Sequence, residues 1–234
     1  MKITFLYHSA FLVALEQCTL LFDWYGGETP ELDRSKPLYV FASHHHGDHY
    51  SPEIFSAFGM ENTWYVLGSC IHLSARRKAA LGIDDSHVFR LGGGRTLDLN
   101  GLHITTLTST DEGVAFLIEA EGNTIYHAGD LHWWHWEGKP GTWNRDMERD
   151  FKREIAKLAG KSIDAAFLVL DPRQEGDYWL GFDWTMRTAD IRHAFPMHSW
   201  EEFGIVKQLK RADCSAPYRD RVEEIYYNGQ TFEL

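Results

Sequence analysis

Residues 43–50 read Ser43-His44-His45-His46-Gly47-Asp48-His49-Tyr50, and four histidines with an aspartate in six consecutive positions suit neither a core nor an ordinary surface. Imidazole nitrogens and carboxylate oxygens are the usual ligands of zinc, and they also suit iron and manganese. The run follows Leu38-Tyr39-Val40-Phe41-Ala42, an apolar, β-branched and aromatic segment that predicts a buried strand. It precedes Ser51-Pro52-Glu53, which predicts a helix start: a hydroxyl at the N-cap, proline at the first helical position and an acid in the first turn. The histidines therefore belong to a loop at the C-terminal end of a strand. Such a loop needs a rigid framework that aims several side chains at one point, and this limits the folds open to the chain. A tag-like tract would lie at a terminus and lack the ordered Gly-Asp-His ending.

Spacing refines this. His44 and His46 are two apart, so in an extended segment they project to one side, and Gly47 lets the chain turn to present Asp48 and His49. This His-x-His-x-Asp-His pattern resembles the metallo-β-lactamase superfamily. The resemblance implies that His44 and His46 bind one metal and that Asp48 and His49 bind a neighbouring one. A strand from Thr124 to His127 running into Ala128-Gly129-Asp130 is similar to the family's second motif, in which the aspartate bridges two metals. The segment Ala194-Phe195-Pro196-Met197-His198 resembles its closing histidine, so His198 is expected to complete the second site. His193 is the alternative, but the strand-end position favours His198. Leu6-Tyr7-His8-Ser9-Ala10-Phe11-Leu12, followed by Leu21-Phe22-Asp23, is similar to the opening of less typical branches. His8 then either faces the site or is a hydrogen-bonded histidine at a strand turn.

One element of the pattern is missing. Most family members carry a third histidine for the first metal in the loop that here reads Ser109-Thr110-Asp111-Glu112. Asp111 is the expected substitute, because carboxylate replaces imidazole on zinc and is preferred by manganese or iron. The alternative is that Asp111 and Glu112 only make a tight turn, leaving the first site incomplete.

The rest of the chain carries a large framework. With 234 residues, 44% hydrophobic and 14% aromatic, and no Ser/Gly or Pro-rich linker, one domain spanning 1–234 is expected. Short strands are predicted at 2–7, 10–16, 18–23, 38–42, 63–67, 86–91, 95–99, 102–108, 114–119, 124–127, 163–170 and 221–228. Helices are predicted at 52–58, 70–80, 143–159 and 201–211. The resemblance implies an α/β fold of the four-layer αββα sandwich type. Residues 131–143 hold Trp133, Trp134, Trp136 and Trp143, with His132 just before them and His135 among them. Directly after Asp130, they are expected to wall the site, with an oligomer contact as the competing explanation. Arg173 is expected to pair with Asp171.

A net charge of −11 argues against a nucleic-acid or anionic-membrane surface, though not against a phosphate-bearing small substrate. Cys18, Cys70 and Cys214 are unpatterned, so reduced thiols and a cytoplasmic setting are expected. The amino-terminal apolar stretch is broken by Tyr7-His8-Ser9 and reads as mature protein, with no membrane span. The implied activity is that of a metal-dependent hydrolase with one or two divalent ions, zinc in the first place and manganese or iron also suited. The substrate would be a small molecule with an ester, lactone, amide or phosphodiester bond, and Asp48 would orient the attacking water as well as bind metal. Two other readings stay open: a di-iron redox protein of the same fold, and a metal-binding relative without catalysis.

Overall fold

The computed structural model describes residues 1–234, and it opens on antiparallel strands β1 (Lys2–Tyr7), β2 (Ala10–Ala14) and β3 (Thr19–Phe22). Three parallel strands follow, β4 (Leu38–Ala42), β5 (Thr63–Gly68) and β6 (Val88–Leu91). These belong to a first unit of residues 1–92 and 228–234. All five residues of β4 are buried, as the unbroken apolar run predicted. Helix α1 (Ile54–Phe58) turns Ile54, Phe55 and Phe58 onto one face of this sheet, against Leu38, Val40, Tyr65 and Leu67. Each such side chain contributes roughly 1.5–3 kcal/mol by leaving water. Ser51 ends up in the turn before α1, where its hydroxyl accepts from Glu53 N, so the helix begins later than the Ser-Pro-Glu signal implied. Helix α2 (Ala75–Leu81) likewise starts after the expected 70, at a Ser74 cap that accepts from Arg77 N.

The second unit, residues 93–227, holds β7 (Thr96–Leu99), β8 (Leu102–Thr108), β9 (Val114–Ala120), β10 (Asn123–His127), β11 (Ser162–Val169) and β12 (Asp190–Met197). They form one sheet in the order β12-β11-β10-β9-β8-β7. Strands β7 to β10 pair antiparallel, whereas β10, β11 and β12 run parallel. Helix α3 (Gly141–Ile155) buries Phe151 and Ile155 at the predicted helical spacing. Helices α4 (Leu180–Thr188) and α5 (Gly204–Arg211) flank β12 in sequence.

The expected strand at 221–228 does not form. Val222 makes a single bridge to Ala194, and burial falls on Val222 and Ile225, three apart, where a strand would bury every second residue. The closing strand is instead β13 (Thr231–Glu233), which pairs antiparallel with β1 and completes the first sheet as β13-β1-β2-β3-β4-β5-β6. The fold class is thus mixed α/β with two multi-stranded sheets, as expected. No helix is long and apolar enough to cross a membrane.

Each sheet has an antiparallel part and a parallel part. The ligand-type residues follow the C-terminal ends of the parallel strands: Asp23 after β3, residues 43–49 after β4, Asp130 after β10, Asp171 after β11 and His198 after β12. Loops at such strand ends are where open parallel sheets hold ligands.

Candidate metal centre

In the first unit the cluster is organised by Asp23, fully buried and at a left-handed φ of 44°. One carboxylate oxygen accepts from Ser43 N at 2.7 Å; the other accepts from the Ser43 hydroxyl and from His49 Nδ1, both at 2.7 Å. The Ser43 hydroxyl has a single proton and spends it on Asp23. Its 2.9 Å contact with His44 Nδ1 is therefore one in which the hydroxyl accepts and the ring donates. The network assigns the proton of both His44 and His49 to Nδ1 and the lone pair to Nε2, the form in which imidazole binds a cation. His44 Nε2 lies 2.9 Å from His46 Nδ1, and His8 Nε2 lies 3.5 Å from Asp48 Oδ2. The contact with His8 holds the Asp48 carboxyl well below the usual carboxylate range, against the opposing effect of burial. His45 is exposed, its ring 5.1 Å from that of His46.

Close packing behind this loop depends on Gly68 at the end of β5. A Cβ there would sit 2.1 Å from the Ser43 carbonyl oxygen, so any other residue would push Ser43 off Asp23.

The second unit repeats the device. Asp171, also fully buried, accepts from His198 Nδ1 at 2.8 Å, which again leaves Nε2 with the lone pair. Arg173 closes on the same carboxylate, Nη2 at 2.5 Å and backbone N at 2.8 Å, so the expected Arg173–Asp171 pair forms. Burial alone would raise the Asp171 pKa; the hydrogen bonds from His198 and Arg173 outweigh it and hold the carboxyl below its usual range. His198 Nε2 stands 3.6 Å from Asp130 Oδ1. Two ligands on one tetrahedral zinc, with bonds of about 2.0–2.1 Å, would be roughly 3.3 Å apart. Asp111 is exposed and its backbone N donates to Ser109 Oγ in a tight turn, yet a carboxylate oxygen lies within 4.8 Å of one on Asp130. Turn formation and proximity to Asp130 are thus compatible.

Around His198 the tryptophans are ordered. Trp134 meets its ring edge-on at 5.6 Å, donates Nε1–H to the Asp130 carbonyl and stacks on Trp136 at 5.8 Å. Trp200 carries the Arg173 guanidinium over its face at 4.5 Å. Trp133 and Trp184, their rings at 84° to each other, both lie against the Lys152 ammonium, at 4.4 and 4.0 Å.

The remaining histidines have structural partners. His103 pairs with Asp98, His193 with Glu223, and His127 Nδ1 accepts from Gly129 N. His132 donates Nε2–H to Gln174 Oε1 at 2.7 Å, and burial pulls its pKa down to about 4, so it is neutral. Its backbone is held by Thr110 Oγ1, which ties the tryptophan segment to the Asp111 loop. This packing tolerates no side chain at Gly181, where a Cβ would lie 2.5 Å from the His132 ring and 2.9 Å from Trp133 N. Gly181→Ala is expected to destabilise by about 1–3 kcal/mol through overpacking and to shift tryptophan emission. Thermal melts followed by intrinsic fluorescence check it, and an unaltered spectrum would show that His132 does not set the tryptophan geometry.

The chemistry of the donor set fits a divalent cation: imidazoles with assigned Nε2 lone pairs, aspartate carboxylates, and a buried carboxylate behind His44 and His49 in one unit and behind His198 in the other. Sequence reading placed the histidines but not the roles of Asp23 and Asp171. The signal was an aspartate at the end of an apolar strand in each half.

Comparison with known proteins identifies the lineage. The model of the Beta-lactamase superfamily domain matches residues 2–135. The chain belongs to the metallo-β-lactamase superfamily. It is 30% identical over 145 residues to the UPF0173 metal-dependent hydrolase of Alkaliphilus metalliredigens, an alignment covering 56% of this chain and 63% of that protein. The chain thus spans under two thirds of the length of the curated relatives it matches first. Among solved structures it is similar to the metallo-β-lactamase fold protein YhfI of Bacillus subtilis, with a TM-score of 0.62, 14% identity and coverage of 99% of this chain and 98% of that one. It is also similar to CmlA, a diiron β-hydroxylase of Streptomyces venezuelae, with a TM-score of 0.58, 13% identity and coverage of 100% of this chain and 54% of that one.

Proposed function

We propose that this protein is a metal-dependent hydrolase acting on a small molecule with an ester, lactone, amide or phosphodiester bond. The residues suited to hold divalent ions, zinc in the first place, are His44, His46, Asp48 and His49 in the first unit and Asp111, Asp130 and His198 in the second. One observation carries the reading. In each unit a buried carboxylate at a parallel strand's end, Asp23 or Asp171, accepts a hydrogen bond from Nδ1–H of a histidine on the next strand's loop and leaves its Nε2 with the lone pair. A divalent cation supplies Lewis acidity and lowers the pKa of a coordinated water toward neutrality. The chain's own share is orientation. Asp48, kept ionised and half-exposed, is the group suited to accept a hydrogen bond from the attacking water and so align it. The partly exposed Trp136 and the exposed Trp200 would receive a ring or alkyl portion of the substrate, with Arg173 beside them for an anionic group and Trp134 packed behind.

Elemental analysis on protein never exposed to chelator, with hydrolysis assayed across ester, lactone, amide and phosphodiester panels, tests this. Two colourless ions per chain with hydrolysis are expected; full loading without hydrolysis would overturn the enzymatic reading, and bound iron with a coloured spectrum would favour redox chemistry. Asp111→Ala is expected to lose one of two ions and most of the activity. Unaltered metal content would remove Asp111 from the ligand set.

A further inference from the structure

The turn between β1 and β2 is two residues long, His8 and Ser9, with Tyr7 paired to Ala10 across it. His8 adopts φ 45°, in the left-handed region that glycine occupies at little cost and where, among other residues, Asn, Asp and His are the most readily accommodated. The turn sends the His8 side chain inward, beside the loop that carries Asp48 and His49. That side chain is almost wholly buried, 6% exposed, and directs Nε2 toward Asp48 Oδ2 at 3.5 Å. Its ring also meets the His49 ring edge-on at 5.6 Å.

The 3.5 Å separation discriminates between two roles. A charge-assisted hydrogen bond from imidazole to carboxylate is about 2.7–2.9 Å long, and this contact lies at the far limit of one. Two atoms bound to a common zinc are roughly 3.3 Å apart, much closer to what is found. The ligand atoms of His8, Asp48 and His49 all lie within 4.8 Å of one another, and every one of them belongs to the first unit.

We propose that His8 is a metal ligand, forming with Asp48 and His49 a three-residue cation site, two imidazoles and one carboxylate, contained within the first unit. This set is the combination that holds zinc in hydrolases with an open coordination position and iron in oxygenases. The chain lacks the histidine usual in the 109–112 loop and has, in compensation, an additional one at the ion bound by Asp48 and His49. That ion would therefore be the tighter of two. The proposal rests on the metal-dependent reading above but makes its own demand on stoichiometry and affinity.

The test is metal binding by the full chain, stripped and then titrated with Zn²⁺ against a chromophoric chelator, with Co²⁺ absorption as a second readout. His8→Gly accepts the positive φ without strain, and His8→Asn also tolerates it while keeping an N–H donor for Asp48. Circular dichroism of the stripped proteins verifies that both fold. In each variant the tighter ion is expected to weaken by about 100-fold, the upper end of what even outer partners of metal ligands produce. The tetrahedral cobalt bands should change with it. Wild-type affinity and spectrum in both variants would overturn the assignment while leaving the metal centre intact, and wild-type-like binding in His8→Asn alone would reduce His8 to a hydrogen-bond donor. Absence of metal binding by the wild-type chain would sink the metal-dependent reading itself.

Discussion

Asp23→Ala is expected to destabilise the protein by about 3–5 kcal/mol, the range for removing one partner of a buried, hydrogen-bonded ionic group. The carboxylate is fully buried and is the acceptor for Ser43 N, the Ser43 hydroxyl and His49 Nδ1. Alanine withdraws three acceptor interactions at once, and burying donors without acceptors costs about 1–3 kcal/mol apiece. For a chain of this size the melting temperature should fall by roughly 10 °C. Metal affinity should fall as well, by about 10–100-fold, because the protons of His44 and His49 are no longer pinned to Nδ1. Asp23→Asn separates the two effects. It preserves volume and one acceptor oxygen but turns an amide N–H₂ toward Ser43 and His49, so it should lose metal affinity with a smaller loss of stability. Chemical denaturation and chelator competition on the same samples measure both. An Asp23→Ala protein that melts with the wild type and binds metal equally would show that Asp23 does not anchor the cluster.

Why Asp23 escapes a sequence reading is a matter of sheet order. The motif at 43–49 is local: strand, ligands, turn and helix signal lie in sequence, and the loop forms where it was expected. Strands 102–108 and 38–42 were legible for the same reason, since alternation or continuous burial is written in consecutive residues. That Asp23 reaches His49 depends on β3 lying parallel beside β4, and that Asp171 reaches His198 depends on β11 lying beside β12. No local pattern states which strands are neighbours. His132 shows the same blindness from the other side. It lies two residues after Asp130 in the segment expected to wall the site, and nothing local points to Gln174, 42 residues away, which makes it a neutral strut. At 221–228 the composition resembled a strand, and only the burial of Val222 and Ile225, with Tyr226 and Tyr227 exposed, shows an irregular segment laid along β12. The departure at 109–112 was legible as an absence. His8 could be read as facing the site or as a histidine at a strand turn, and only the folded turn, 40 residues before Asp48, brings it beside that residue.

Asp171→Asn is expected to have the second large effect, with a pH signature that identifies its origin. In the folded protein the Asp171 carboxyl sits below its usual range: burial opposes this, but hydrogen bonds from His198 and Arg173 prevail. In the unfolded chain an aspartate titrates at about 3.9. Between the two values the unfolded state binds more protons than the folded one, so the stabilisation due to Asp171 is fully present above about pH 4 and is lost as pH falls toward the folded pKa. Asparagine cannot titrate and cannot hold Arg173 through two oxygens, so the metal-free variant should be about 3 kcal/mol less stable near pH 7. The difference should shrink steadily below pH 4, because protonation brings the wild type toward the same condition. Other depressed carboxyls, Asp33 and Asp150 among them, contribute to both proteins and cancel in that difference. Urea midpoints from pH 7 to pH 3 supply the measurement, with fluorescence reporting on Trp200 once Arg173 is released from its place over the ring. A pH-independent gap between the two curves would mean that Asp171 acts by shape alone, and that His198 is oriented by something other than its charge.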